Sequence, residues 1–290
     1  YYTIAKIGPA GIKTHLLDAN TRLCTATTEW CLLQSFGSDG VPASFDDIDV
    51  AETVMLFGHN VAETGSVLFD RIMERKKRPG KPYLIVVDPR KTLTAVEADL
   101  HLQLKPSTNV ALLNGIIHEI IRKDRIDEAF IQQHTVQFDE MKESVNDWSL
   151  TRTSDVTGVP TDDLIRAADQ LGTTESLVST TLQGAFQSND ATVACVAINN
   201  LHLMRGLIGK PGCGPLPMAG QPSSSGNRTV GGVGTYPGNR NPENPHHLRE
   251  VAELWNVDVS SLPVGPEKGI SKQIELMEKE KLGFFWNIHT

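Results

Sequence analysis

The sequence predicts an α/β protein in which doubly wound, mostly parallel sheets carry helices on both faces. Two observations lead to this prediction. Short apolar runs of strand length alternate along the chain with amphipathic runs of helix length. The run 83–87, Tyr-Leu-Ile-Val-Val, is apolar throughout, as expected of a parallel strand that helices cover on both sides. In such folds ligands bind beyond the carboxyl ends of the strands, so the turns after the strands are candidate sites.

The individual elements follow from the apolar patterns and the residues that bound them. Strands are expected over residues 50–57, 83–87, 100–104, 177–182 and 283–288. Helices are expected over residues 67–74, 109–121, 190–207, 245–255 and 272–281. The stretch 126–171 is expected to be largely helical, and Thr161-Asp162-Asp163 after Pro160 caps its last helix. Residues 211–245 are rich in Gly, Pro, Ser and Asn and predict a long loop that is either functional or disordered.

The elements group into three segments. Residues 1–45 are expected to belong to a first α/β domain and to carry a metal-ligating cysteine. Residues 46–175 are expected to form a nucleotide-binding-like α/β region with a helical insert, and 176–290 a second α/β portion with the long loop. The chain starts without methionine in what resembles the middle of a helix, and it stops in an unfinished strand pattern. We therefore expect an internal fragment of a longer protein.

Composition excludes several classes of function. The formal net charge of the 290 residues is −8, which argues against a nucleic-acid-binding protein with its clustered basic residues. No apolar run approaches the roughly 18 residues that a membrane-spanning helix needs. None of the four cysteines forms a C-x-x-C pair, and so few cysteines in a chain of this length favour a reducing compartment. A cytoplasmic location is favoured, and a periplasmic one stays open because a targeting segment would lie outside this fragment.

Cys24 is the first candidate for chemistry. It follows the turn Asn20-Thr21-Arg22 and precedes a run of small residues that can open a helix. The thiolate is the form of cysteine that binds metals, and the pKa of a thiol falls at a helix N-terminus and beside a cation such as Arg22. Cys24 is therefore a candidate metal ligand, although a buried and inert cysteine is the common alternative.

Polar turns follow several of the predicted strands. The turn Gly58-His59-Asn60 comes after the first strand, and a glycine there lets a phosphate approach the backbone at a helix N-terminus. Asp88 ends the next strand, where an acidic side chain either accepts hydrogen bonds from a ribose or a base, or caps a helix. In the turn 105–109, Ser107 or Thr108 is a candidate helix cap, and Asn109 is a candidate for reading the edge of a purine.

Further polar turns contain Gln187-Ser188 and Gly220-Gln221-Pro222-Ser223. Together the turns indicate an extended, phosphate-bearing cofactor that lies across the edge of the sheet. Other motifs are absent from the sequence. The run 231–234 is glycine-rich but lacks the lysine of a P-loop, and no strand is followed by G-x-G-x-x-G. The motifs G-x-S-x-G and H-E-x-x-H do not occur.

Taken in order, these segments resemble those of the molybdopterin oxidoreductases of the dimethyl-sulfoxide-reductase family. The matching segments are 20–27, 58–64, 87–92, 104–109, 207–212 and 220–222. The resemblance runs through nearly the whole chain. It is closest to the catalytic subunits of assimilatory and periplasmic-type nitrate reductases.

The resemblance implies a bis-(molybdopterin guanine dinucleotide) cofactor with molybdenum, or with tungsten as in some relatives, and Cys24 as the protein ligand to the metal. The residues that stand where the family contacts the cofactor are Asn20, Arg22, Gly58, His59, Asn60, Glu63, Asp88, Arg90, Thr92, Pro106, Thr108, Asn109, Gly184, Gln187, Ser188, Gly220 and Gln221. Asn109 replaces an Asp of many relatives, so guanine would be recognised by an amide rather than a carboxylate. A 4Fe–4S cluster is expected in the preceding part of the protein, together with an electron-donor protein or subunit.

The resemblance also bears on the reaction. Formate dehydrogenases have His after the ligand cysteine and Arg before the Gly-Gln turn, whereas this chain has Thr25 and Ala219. The run 220–228 resembles nitrate reductases and places Arg228 where they keep an active-site arginine. Nitrate reductases usually have Met after the cysteine and often Glu after the arginine, and here those residues are Thr25 and Thr229. Nitrate is therefore the favoured oxyanion substrate, with Cys24 and Arg228 as the catalytic residues.

The expected reaction is oxygen-atom transfer from nitrate, which leaves nitrite, with two electrons and two protons restoring the centre. Formate dehydrogenase, or another oxyanion oxidoreductase of the same family, is the alternative. A cofactor-free structural subunit of a respiratory complex is a second alternative, but such a chain is expected to lose Cys24 and the polar turns, and both are present.

Overall fold

The computed structural model describes residues 1–14, 16–220, 224–265 and 269–288. Contacts within the chain separate two units. The sheet unit is Thr27–Gly220, and the second unit comprises Tyr1–Ala26 and Gln221–Thr290. The sheet unit draws strands from both predicted α/β segments, 46–175 and 176–290, and the division into three segments stays a prediction.

One parallel sheet organises the sheet unit. Its strands are β1 Thr53–Phe57, β2 Tyr83–Val87, β3 Leu100–Leu102, β4 Leu177–Thr181 and β5 Gly214–Pro217. Their order across the sheet is β3-β2-β1-β4-β5, and every pair of neighbours is parallel. The order reverses between β1 and β4, which is the point in such sheets where a crevice for a ligand forms.

Helices connect these strands and also build the second unit. The α-helices are α1 Tyr2–Lys6, α2 Thr21–Cys24, α3 Ala26–Phe36, α4 Val61–Thr64, α5 Ser66–Lys76, α6 Leu93–Val96, α7 Asn109–Arg122, α8 Glu128–His134, α9 Phe138–Val145, α10 Leu150–Thr157, α11 Thr161–Thr173, α12 Gln183–Phe186, α13 Ala191–Met204, α14 Ser224–Thr229, α15 Pro245–Trp255 and α16 Gly269–Glu278. A π-helical segment spans Ile7–Ile12, and 3₁₀ segments span Phe45–Asp49 and Val259–Ser261. Among the described residues, no helix is both long and apolar enough to cross a bilayer.

Helices cover both faces of the sheet, as the fold prediction requires. Successive side chains of a strand point to opposite faces. Met55 and Phe57 of β1 pack in one apolar cluster with residues of α7, α11 and α13. Val54 and Leu56 pack in a second cluster with Ile72 of α5. Each fully buried side chain of this size contributes about 1.5–3 kcal/mol to folding. The predicted fold class is confirmed by the parallel sheet and the helices on both of its faces.

The second unit has a small apolar core of its own. Tyr236 and Trp255 pack edge to face, with ring centroids 5.7 Å apart. The Trp255 indole N–H donates to the Tyr2 hydroxyl at 2.9 Å, and the Tyr236 hydroxyl donates to the Pro263 carbonyl at 2.9 Å. Burial raises the pKa of Tyr236 to about 12. The bond from Trp255 to Tyr2 ties α15 to α1 within the unit.

Two predicted elements differ from the structure. The strand expected over 283–288 is wrong, since these residues form no regular secondary structure and the aromatic side chains among them are exposed. A strand requires a hydrogen-bonded neighbour, and none of the described strands pairs with them. The long loop expected over 211–245 contains β5 and α14. The strand β5 was not predicted because it contains prolines, and proline cannot donate a hydrogen bond to a neighbouring strand. Proline in strands occurs mainly at sheet edges, and β5 is an edge strand.

Candidate functional site

The turns after β1 and β4 approach each other at backbone distance. Gly58 has φ +60°, and its carbonyl accepts a hydrogen bond from the Gly184 N–H at 3.0 Å. A Cβ at Gly58 would lie 2.5 Å from the Ala185 nitrogen, and a Cβ at Gly184 would lie 2.6 Å from the Gly58 Cα. Both glycines are therefore required by the fold at this edge, whatever their role toward a ligand.

His59 is buried directly after this turn. Its Nδ1 lies 2.7 Å from the Thr180 hydroxyl of β4. Burial lowers the pKa of His59 to about 4. The imidazole is therefore neutral at neutral pH, and it can offer a ligand a hydrogen bond but no positive charge.

Asn60 is held in a local polar network. Its Oδ1 accepts from the Thr94 hydroxyl at 2.8 Å, and its Nδ2 donates to the Glu63 carboxylate. Its carbonyl accepts from the N–H groups of Glu63 and Thr64, the last two residues of α4. Asn60 is buried and Glu63 is exposed, so the network presents a fixed amide and an accessible carboxylate at the carboxyl end of β1.

The turn after β2 places Asp88 beside Arg90. Asp88 is buried, and its Oδ1 accepts from the Arg90 N–H at 2.8 Å, while the exposed Arg90 guanidinium lies 3.8 Å away. The helix-cap alternative for Asp88 is wrong: the cap of α6 is Thr92, whose hydroxyl accepts from the Ala95 N–H at 3.2 Å. For Asp88 the ligand-binding interpretation remains. Thr92 was predicted as a cofactor contact, and the structure shows that it also caps α6.

The turn after β3 opens α7. Thr108 is the N-cap of α7 but makes no side-chain cap, and its hydroxyl donates to the Lys105 carbonyl at 2.6 Å. Asn109 is half-buried as the first residue of α7. Pro106 is exposed. The three residues follow β3 at the same end of the parallel sheet as Asp88.

The remaining sheet-unit candidates follow β4 and β5. Gln187 is exposed, and the Ser188 hydroxyl donates to the Ala185 carbonyl at 3.3 Å. Gly220 is exposed after β5. Gln221 lies outside the described residues, so its role stays a prediction.

A cavity of about 540 Å³ lies at the carboxyl ends of β1, β4 and β5. It brings together His59, Glu63 and Gly220 from the predicted set. Sequence reasoning missed Arg71, which also lines this cavity and pairs with Asp46 and Asp49. These carboxylates hold the pKa of the Arg71 guanidinium above its ordinary value. The sequence offered one indication of this role: Arg71 lies in the helix predicted over 67–74, which follows the turn after β1.

In the second unit, the catalytic candidates lie on two contacting helices, α2 and α14. Cys24 is half-buried and precedes α3, as predicted. The turn expected over 20–22 is wrong, since Thr21 and Arg22 begin the helix α2, which ends at Cys24. Arg228 is only 4% exposed, and its Nη1 donates to the hydroxyl of Thr25 at 3.1 Å. Arg228 is therefore bonded to the residue that directly follows Cys24.

Arg22 holds the other side of α2. Its Nε contacts the Asp18 carboxylate at 3.2 Å, and its Nη2 donates to the Val233 carbonyl at 3.1 Å. Asn20 is exposed as the N-cap of α2. The segment that carries Cys24 is thus fixed to residues after α14 by Arg22 and to α14 itself by Thr25.

The comparisons with known proteins agree with this architecture. The molybdopterin oxidoreductase family model matches residues 4–290. The chain is 34% identical over 293 residues to a nitrate reductase of Synechocystis, which covers 100% of this chain and 41% of that protein. It is 32% identical over 260 residues to the alpha subunit of an F420-dependent formate dehydrogenase of Methanocaldococcus jannaschii, covering 89% of this chain and 38% of that protein.

Among solved structures, acetylene hydratase from Pelobacter acetylenicus has the same fold over 71% of this chain and 28% of that chain, with a TM-score of 0.63 and 24% identity. The chain spans at most 41% of the length of the two curated relatives.

Proposed function

Because this chain belongs to the molybdopterin oxidoreductase family, we propose that it forms the central part of a molybdenum enzyme that reduces nitrate to nitrite. One observation carries the proposal beyond the family. The buried guanidinium of Arg228 is bonded to Thr25, the neighbour of Cys24. A cation next to a candidate metal ligand suits a small anion that must be oriented at the metal.

The family implies a molybdenum–pterin cofactor, and the residues present fit such a group. The half-buried thiol of Cys24 is a donor suited to a soft metal site. The cavity of about 540 Å³ at the strand ends combines apolar side chains with His59, Glu63 and Arg71, and it lies where ligands bind in such sheets. We propose that the cofactor is bis-(molybdopterin guanine dinucleotide) with molybdenum, tungsten being the variant metal.

When bound, the cofactor would supply the oxygen-atom and two-electron chemistry. Cys24 would hold the metal through Sγ and would tune its potential. Arg228 would bind the anion and keep its orientation, since its own position is fixed by Thr25. His59, neutral at physiological pH, and Asp88 would donate and accept hydrogen bonds to the cofactor at the sheet edge.

The proposal extends to partners and location. Electrons would arrive from a 4Fe–4S cluster in the part of the protein that precedes this segment, and from an electron-donor protein or subunit. A cytoplasmic location is proposed, with a periplasmic one as the alternative.

Formate oxidation is the competing activity, because an alpha subunit of a formate dehydrogenase is among the relatives at 32% identity. Thr25 and Ala219 argue against it. Formate oxidation needs a proton or hydride acceptor and a cation for the carboxylate, and neither side chain supplies one. A structural subunit without a cofactor is disfavoured by the presence of Cys24 and of the buried Asp88.

The test uses the full-length protein, purified without oxygen and assayed for nitrite with a reduced viologen dye. We expect nitrite from the wild type, none from Cys24→Ala, and wild-type activity from Cys213→Ala, a buried cysteine of the sheet unit. Molybdenum is measured in each preparation. A molybdenum-loaded wild type that forms no nitrite would overturn the nitrate proposal, and oxidation of formate by the same preparation would establish the competing activity.

A further inference from the structure

Five buried polar side chains lie on α2, on its C-cap and on α14 in the second unit, and Ser224 at the start of α14 is one of them. The other four, named here the α2–α14 cluster, are Thr21, Thr25, Asn227 and Arg228, and each is at most 4% exposed. The two helices contact each other, and the bond from Arg228 to Thr25 joins them. The cluster is therefore one polar region inside the unit rather than four scattered residues.

Two atoms of this cluster lack a hydrogen-bond partner. The hydroxyl of Thr21 and the Nδ2 of Asn227 are buried and make no hydrogen bond within the described parts of the chain. Buried side-chain donors are paired in the large majority of cases, and an exception calls for an explanation such as a bound ligand. Neither Thr21 nor Asn227 was a candidate from sequence, because neither residue type stands out in its local motif.

The backbone around Asn227 orients its amide. A Cβ on Gly232 would lie 1.8 Å from the Asn227 Oδ1, so the carbonyl end of the amide packs closely on that glycine. The Gly232 N–H also donates to the Asn227 backbone carbonyl at 2.9 Å. With its oxygen held there, the amide has its donor end, Nδ2, directed away from Gly232.

Thr21 is positioned by the helix that carries Cys24. It lies one turn before Thr25, whose N–H donates to the Thr21 carbonyl at 3.0 Å. Residues four apart lie on the same face of a helix. The unpaired hydroxyl of Thr21 is therefore on the face of α2 that carries Thr25, the residue that Arg228 contacts.

The chemistry of the cluster selects an anion. It contains one fixed positive charge, an amide donor and a hydroxyl that can donate, and none of its four members is a carboxylate. Hydrogen bonds to an ionised acceptor are about twice as strong as neutral ones, so an oxyanion gains most from these donors.

We propose that Thr21 and Asn227 are further substrate-binding residues, which donate hydrogen bonds to the oxygens of nitrate beside Arg228. The inference rests on the proposed function and adds two residues to it. The substrate, rather than the cofactor, is the expected partner because Thr21 lies one helical turn before Thr25, which Arg228 contacts, and Asn227 directly precedes Arg228, the residue that is proposed to hold the anion.

The experiment uses the full-length, molybdenum-loaded protein as wild type, Thr21→Val and Asn227→Ala. The readouts are molybdenum content, the unfolding temperature with and without nitrate, and KM and kcat. The matched control is Thr153→Val, which removes an equally buried and unpaired hydroxyl from the sheet unit. We expect Thr21→Val and Asn227→Ala to raise KM about tenfold each and to reduce the nitrate-induced rise in unfolding temperature. Thr21→Val should unfold at or above the wild-type temperature without nitrate, since it removes an unsatisfied group.

Other results would overturn the inference. Loss of molybdenum from Thr21→Val would identify a cofactor contact instead, and unchanged KM in both variants would show that the unpaired atoms do not meet substrate. If Asn227→Ala does not fold, the KM and the nitrate-induced rise in unfolding temperature of the isosteric Thr21→Val still decide whether the cluster binds substrate. If the wild type does not reduce nitrate, the proposed function fails separately, and formate then serves as the probe anion in the same thermal measurement.

Discussion

At the scale of single residues, Thr25 connects the two side chains on which the proposed chemistry depends. It follows Cys24 in the chain and accepts a hydrogen bond from Arg228. Its own hydroxyl lies 3.5 Å from the Thr21 carbonyl, which orients it to accept from the guanidinium. Thr25 is 1% exposed, so we interpret it as a positioning residue for Arg228 and not as a residue that touches the anion.

Replacing Thr25 tests this role. Thr25→Val keeps the shape but removes the acceptor, and we expect KM for nitrate to rise about tenfold, because a hydrogen bond to a charged group contributes about 1.5–3 kcal/mol. Thr25→Ser should restore most of the wild-type KM. Thr229→Val, on the exposed side of the same helix as Arg228, is the control and should leave KM unchanged. Equal KM values for Thr25→Val and wild type would contradict the positioning role.

The buried histidines predict a dependence of stability on pH. Burial lowers the pKa of both His59 and His202 to about 4, whereas an unfolded histidine has a pKa of about 6.5. Between these values the unfolded state binds more protons, so the free energy of unfolding falls as pH decreases from about 6.5 to about 4. Each histidine accounts for a loss of about 3 kcal/mol across that window.

Urea unfolding of the full-length protein at several pH values measures this effect. We expect His59→Gln to show a shallower loss of stability between pH 6.5 and 4 than wild type. Thr180→Val, which removes the partner of the imidazole but keeps the imidazole buried, should retain the wild-type pH dependence. A pH profile of His59→Gln that parallels wild type would mean that His59 is not a neutral buried group.

At the scale of elements, the packing of α7 on α10 depends on the absence of a side chain. A Cβ on Gly115 of α7 would lie 2.1 Å from the Thr153 hydroxyl and 2.6 Å from its methyl group. Thr153 is fully buried, so its side chain has no solvent space into which to move. The glycine lets α7 and α10 approach each other closely.

We therefore expect Gly115→Ala to destabilise the protein by about 1–3 kcal/mol, the usual cost of overpacking a core. The intrinsic preference of alanine for helices opposes this loss by about 1 kcal/mol. Combining Gly115→Ala with Thr153→Ala should recover part of the stability, because the second change removes the clashing atoms. Chemical denaturation of the two variants and of Thr153→Ala alone gives the coupling, and additive effects would contradict the proposed contact.

At the scale of the whole molecule, the sequence predicted those features that depend on neighbouring residues in the chain. The apolar runs predicted β1, β2 and β4 to within a few residues, and their alternation with helices predicted the parallel sheet. The order of strands, the glycine contact between the turns of β1 and β4, and the bond from Arg228 to Thr25 join residues far apart in sequence. No local pattern encodes such contacts, and for that reason Thr21, Thr25 and Asn227 were missed as members of one cluster.

The sheet edge carries the last prediction, which concerns retention of the cofactor by the whole protein. Asp88 is buried at the end of β2, and its carboxylate makes a backbone contact with Arg90 and so stays in place. If it accepts hydrogen bonds from a ribose or a base, Asp88→Asn replaces a charged acceptor with a neutral amide and weakens binding of the nucleotide about tenfold. We expect the purified full-length variant to contain less molybdenum and less guanine nucleotide than wild type.

The control for that measurement is Asp139→Asn, an exposed carboxylate on α9, which should retain the wild-type cofactor content. Circular dichroism of Asp88→Asn distinguishes a lost ligand contact from a lost fold, because the Arg90 N–H can still donate to the amide oxygen of the variant. A folded Asp88→Asn protein with full molybdenum and guanine content would remove Asp88 from the cofactor site. The buried carboxylate would then serve only to shape the turn between β2 and α6.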